Sequence, residues 1–224
     1  MSRKATAYIS SVIGLGLAAF ATALYHWEIP DTFRFLTYLI LATLGGSRKI
    51  RLPGMTGTYS MSFVFVLLGI QDFTYTQTLL IGCASMLAQC LWKPQRPPTA
   101  VQVIFNVGCL AASAGATYYT VHALLPSVPI LLSLTLAAAV YFTTNTLLVC
   151  GVLTLVEQTP FVTAWNKWLA LSFPYYVVGV AIVGLILVTS QQVAWPLPLL
   201  ALPLLYLAHA CQRAAVERLR QTAS

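Results

Sequence analysis

Apolar residues fall in long runs broken by short polar segments, and the runs define the elements. Stretches at about 8–24, 35–44, 58–71, 76–92, 99–120, 128–156, 168–190 and 193–209 each read as a helix. The second and third runs fall short of the roughly 20 residues that cross a bilayer. The sixth is long enough to tilt strongly or to extend beyond the lipid. Ser10, Gly14 and Ala18 recur at every fourth position of the first run and predict a small-residue face for close helix contact. Pro174, Pro196, Pro198 and Pro203 predict kinks in the last two helices. Beyond His209 the chain has good helix formers and no breaker, so the eighth helix is expected to continue as a charged extension.

One stretch departs from this alternation. Arg48, Lys49 and Arg51 lead into Pro53-Gly54, then a hydroxyl-rich stretch with Thr56, Thr58, Tyr59, Ser60 and Ser62, then an apolar run from Phe63 to Ile70. Irregular polar backbone beside an apolar helix is tolerated at membrane depth only where protein or a cavity surrounds it. The stretch is therefore a candidate wall of a ligand site. A loop with a tight Pro-Gly turn feeding a helix is the plainer alternative.

Composition gives the solvent. The chain has 224 residues, 58% hydrophobic and 8% charged, with a mean hydropathy of +0.80. A soluble domain carries roughly 25% charged residues. The expected class is all-α: a polytopic membrane helix bundle of about eight transmembrane helices. Residues 1–211 would form the membrane-embedded domain and 212–224 a cytoplasmic helical extension.

Charge sets the expected orientation. With eight crossings and both termini inside, Arg3, Lys4, Arg48, Lys49, Arg51, Lys93, Arg96, Lys167, Arg213, Arg218 and Arg220 lie inside, and only Arg34 lies outside. That split, 11 to 1 of the 12 cations, follows the positive-inside rule. The net charge of +7 is accounted for by loop cations facing anionic lipid, and nucleic acid is not expected as a partner. The five tryptophans fall at segment ends, as in an aromatic belt. The five cysteines show no Cys-x-x-Cys spacing and read as free thiols.

Polar residues within the runs are the candidate chemistry. Gln102 and Asn106 stand four apart, as do Ser85 and Gln89, and Ser133, Ala137, Tyr141 and Asn145 form a similar stripe. Each stripe either bonds to a neighbouring helix or points into a cavity. Tyr59, Ser60, Gln102, Asn106, Tyr141 and Asn145 are the expected ligand-binding set, around a molecule held between the third, fifth, sixth and seventh helices. The chain carries no His-Glu-x-x-His, Gly-x-Ser-x-Gly or phosphate-cradling glycine loop, and no paired acids within the runs. An enzyme is not expected, and no catalytic residue, metal ligand or cofactor is assigned.

Leu52-Pro53-Gly54, Gly57-Thr58-Tyr59-Ser60 and the run from Phe63 to Ile70 resemble the N-terminal membrane modules ahead of bacterial GGDEF and HD-GYP cyclic-di-GMP signalling domains. Phe105-Asn106, the Tyr141-Phe142-x-x-Asn145-Thr146 segment and the stretch from Trp165 to Trp168 fit the same pattern, over about residues 35–215. The first segment is also similar to the S components of ECF-type vitamin transporters, and sensor modules similar to those are known as vitamin-uptake-like sensor domains. This chain differs from S components in having eight apolar runs where they have six helices, and in placing the cation-rich loop inside. The resemblance implies a sensory module in the bacterial inner (plasma) membrane, multi-pass. It would bind a small hydrophobic molecule or lipid and signal through its C-terminal helix to a cytoplasmic output domain or partner, with a homodimer among the expected assemblies. The S-component likeness implies instead a substrate-capture subunit of an uptake transporter.

Overall fold

The computed structural model describes residues 2–51, 58–94, 97–124, 128–192 and 202–222. Among these the order is α1 (Arg3–Tyr25), α2 (Thr32–Ser47), β1 (Lys49–Arg51), β2 (Thr58–Ser60), α3 (Ser62–Asp72), α4 (Tyr75–Leu91), α5 (Ala100–Leu124), α6 (Ile130–Glu157), α7 (Phe161–Gln192) and α8 (Leu202–Thr222). Among the described residues, four helices are long and apolar enough to cross a membrane: Arg3–Tyr25, Ala100–Ala123, Ile130–Glu157 and Phe161–Ser190. The fold is a helical membrane bundle with a small β ribbon set into it.

Local chemistry fixes the helix ends. Ser2 caps α1 by accepting from the Ala5 amide at 3.2 Å. Asp31 caps α2 from the left-handed region, at φ 44°, which a short polar side chain tolerates. Thr74 and Gln77 form a reciprocal capping box at the start of α4. The chain leaves α6 through Gln158 at φ 56°. Pro174 lies inside α7, which begins at Phe161, well before the expected residue 168.

The centre of the molecule is α3. Every residue from Ser62 to Ile70 is buried. A helix that is apolar on all sides must be surrounded, and this one is. It touches α2, α4, α5, α6 and α7, while α2 packs on α4, α1 on α5, α5 on α6 and α6 on α7 around it. Val64, Val66, Leu67, Leu68 and Ile70 have no exposed surface. The outer helices turn apolar side chains outward: Leu15, Leu17 and Leu24 of α1 are more than half exposed. That face suits lipid, which requires no polar covering.

Two expectations change here. The small residues at Ser10, Gly14 and Ala18 are exposed, and a Cβ added at Gly14 would meet nothing within 4 Å. The close contact is made instead by Gly16, where an added Cβ would lie 2.5 Å from the Cα of Gly108 on α5. The face of α1 that packs is the one carrying Ala5, Ile9, Val12 and Gly16. The second change is at 58–71, expected as one helix. Residues Thr58–Ser60 form β2, pairing antiparallel with β1 in the register Lys49↔Ser60, Ile50↔Tyr59 and Arg51↔Thr58.

The bundle has two chemically distinct ends. At one, Lys49 Nζ donates to the Gln89 carbonyl at 2.8 Å, and Gln212 of α8 donates to the Leu171 carbonyl at 3.3 Å. At the other, Arg34 pairs with Asp72, and Thr76 Oγ1 donates to the carbonyls of Ala23 and His26 at 2.9 and 3.0 Å.

Candidate functional site

The expected site residues occupy several different settings. Beneath the first turn of α3 lies a buried polar network. Ser60 Oγ donates to Gln89 Oε1 at 2.7 Å, and it shares a hydrogen bond with Ser62 Oγ. Ser85 Oγ donates to Ser62 Oγ at 2.7 Å. Gln89 Nε2 donates to the Thr58 carbonyl at 2.9 Å and to Thr58 Oγ1 at 3.2 Å. The network ties the ribbon and α3 to α4. Buried and mutually satisfied, these groups rigidify the ribbon end of the bundle.

Next to it stands an aromatic cluster. The Phe63 ring lies 3.9 Å from Tyr176 and 5.7 Å from Tyr141, centroid to centroid. Phe142 meets Tyr176 edge-on at 4.7 Å. The Asn145 side chain lies near Tyr176. Tyr141 and Asn145 are thus brought together around a residue the sequence reading did not single out. Tyr176 follows Pro174 by two positions, and that spacing from a helix breaker was the available signal. Phe63 bridges this cluster to the hydroxyl network through its neighbour Ser62.

The two α5 residues do not join them. Gln102 is exposed and caps its own helix: its Oε1 accepts from the Thr99 amide at 2.9 Å, while the Gln102 amide donates to Thr99 Oγ1 at 3.3 Å. Asn106 is half-buried, with Nδ2 3.5 Å from Cys90 Sγ on α4. Tyr59 lies in β2, opposite Ile50, and its side chain lies outside the described residues. The Leu52-Pro53-Gly54 turn is likewise outside them.

A third feature extends from the ribbon. Ile50 is buried with Phe142, Cys150, Ala164, Trp168, Tyr175 and Val216 in one apolar cluster. Val216 belongs to the charged part of α8, so the ribbon, α6, α7 and the C-terminal helix share a core. Tyr176 and Trp165 pack against its edge. Trp168, expected at a membrane boundary, is interior to α7 and 5% exposed.

Among the described residues no group of three or more His, Cys, Asp or Glu side chains could hold a metal ion. The thiols of Cys83, Cys109 and Cys150 are buried and unpaired with one another. What the arrangement offers is binding chemistry: aromatic faces, one amide and several hydroxyls in a low-dielectric interior. Comparison of the chain with protein-family models, with curated proteins and with solved structures finds no match.

Proposed function

We propose that this chain is a membrane-embedded sensory module. It recognises a small hydrophobic molecule or lipid among α3, α6 and α7 and passes a conformational signal through α8. The observation that carries the reading is the continuity of the interior. Tyr141, Asn145, Tyr176 and Phe63 adjoin the ribbon, and the ribbon's Ile50 shares a buried cluster with Val216 of α8. A ligand that prefers one placement of the Tyr176 ring shifts α7 near Pro174, where the helix lacks a backbone donor. Signalling follows only if the ligand binds the two arrangements unequally.

In this reading the chain crosses the membrane eight times, with both termini and the ribbon in the cytoplasm. The grouping of Lys49, Arg213 and the start of α1 away from Arg34 supports it. The partner is a cytoplasmic output domain or signalling protein reached through the α8 extension, and a homodimer would bring two such extensions together. The alternative is a substrate-capture subunit of an uptake transporter, which makes a separate demand: an energising ATPase and a second membrane subunit must co-purify.

Native mass spectrometry of the full chain extracted gently from bacterial membranes tests the reading. A retained small hydrophobic species, lost on Asn145→Ala and Tyr176→Phe, is expected. An empty protein, together with amide exchange in α8 that does not respond to added lipid extract, would sink it.

A further inference from the structure

The C-terminal helix is held by one face. His209, Gln212 and Val216 of α8 are spaced three and four apart, and their neighbours on α7, Tyr175, Leu171 and Trp168, follow in the opposite order. The His209 and Tyr175 rings meet edge-on, with centroids 6.3 Å apart. Gln212 Nε2 donates to the Leu171 carbonyl at 3.3 Å. Val216 shares the buried cluster of Trp168 and Tyr175. That spacing on both helices is the pattern of a two-helix seam. The residues of α8 that lie between these three positions are exposed.

The seam is closed at a cost. Trp168 and His209 are buried, and among the described residues Trp168 Nε1 and His209 Nδ1 have no hydrogen-bond partner. A buried nitrogen of this kind opposes docking, because water satisfies it once the helices part. Apolar contact among Ile50, Trp168 and Val216 works in the other direction. His209 is where a charge enters this balance. The titratable and charged groups that act on its ring are Arg213, one turn along α8, Arg48 beside the ribbon, and Tyr175 of α7. No carboxylate is among them. Glu217, the acid of α8, pairs with Arg213 at 2.9 Å. A second proton on the docked ring would add a cation beside Arg213 and Arg48 and a further N–H to a site already short of an acceptor. In water the same imidazolium is freely solvated.

From these features we infer that α8 is a proton-operated latch, docked on α7 while His209 is neutral and released when His209 is protonated. Docking is complete at high pH and is lost as the pH falls, because the extra proton is bound only by the released helix. Release uncovers Trp168 and Tyr175 of α7 and removes Val216 from its place beside Ile50 of the ribbon. As regulation of an output the latch rests on the reading of α8 given above. Its operation requires no ligand.

The test follows amide exchange of the full chain in lipid nanodiscs, without added ligand and corrected for the intrinsic effect of pH on exchange. From about pH 8 to about pH 5.5, protection of residues 209–222 is expected to fall about tenfold while α3 stays protected. His209→Phe keeps the ring contact with Tyr175 and removes both the titration and the unpartnered nitrogen, so α8 should stay protected at both pH values. Arg48→Gln lies outside the seam and removes one of the two cations, so the midpoint of release should move to higher pH. The proposal is overturned if protection of 209–222 is the same at both pH values, if α3 loosens in step with it, if His209→Phe responds as the parent does, or if Arg48→Gln leaves the midpoint unmoved. A flat pH response in a protein that retains a hydrophobic ligand strikes the latch alone. A working latch in a protein that retains none strikes the ligand reading alone.

Discussion

Gln89 Nε2 donates to the Thr58 carbonyl over 2.9 Å, so one side chain of α4 holds the second strand of the ribbon against the bundle. Its Oε1 accepts from Ser60 at the same time. Gln89→Leu removes both bonds and leaves the part-buried Thr58 carbonyl without this donor, and a buried group that loses its partner costs about 1–3 kcal/mol. The thermal midpoint in detergent is expected to fall clearly. Gln102→Leu, which removes half of an exposed cap, should cost about 1 kcal/mol or less. Equal midpoints for the two variants would show that the network holds nothing.

Gly14 and Gly16, two positions apart on α1, give a cleaner contrast, because they face opposite ways. At Gly16 a methyl group would lie 2.5 Å from the Gly108 Cα, and that neighbour is backbone. Gly16→Ala is expected to separate α1 from α5 and cost about 1–3 kcal/mol. Gly14→Ala meets open space and should be neutral or slightly stabilising through helix propensity. Urea or thermal unfolding of both variants measures the difference, and a harmless Gly16→Ala would mean that the two helices can part freely.

Ile50 is 3% exposed and joins the cluster containing Val216. Ile50→Ala removes buried methyl groups at a junction of the ribbon, α6, α7 and α8, with a typical cost of about 2–5 kcal/mol. The loss should appear first as faster amide exchange in residues 209–222, while exchange in α3 stays slow. Uniform loosening of the whole bundle would instead indicate that α8 is not held through this contact.

Much of the architecture was legible because lipid imposes simple rules. Long apolar runs gave the spanning helices, and the polar breaks between them gave the turns. The ribbon was hidden because each strand has three residues, too few for alternation to stand out. Lys49-Ile50-Arg51 does place its apolar residue between two cations, as an edge strand would. The setting of Gln102 was hidden for a related reason. Four-residue spacing from Asn106 suggested a shared face, while Thr99-x-x-Gln102 is also a capping-box pattern, and the structure uses the latter. The Arg34–Asp72 pair was beyond reach, since its partners belong to different helices 38 positions apart. Of the residues expected to line a site, Tyr141 and Asn145 lie near Tyr176 while Gln102 stands apart, because four-residue spacing fixes a helix face and not what that face meets.

Helix α3 has 11 residues, about 16 Å of rise, against a hydrocarbon layer of about 30 Å. A helix that short does not span the layer on its own, so α3 keeps its central place only through the longer helices around it and through Ser85 and Gln89 of α4, which hold the polar residues at its start.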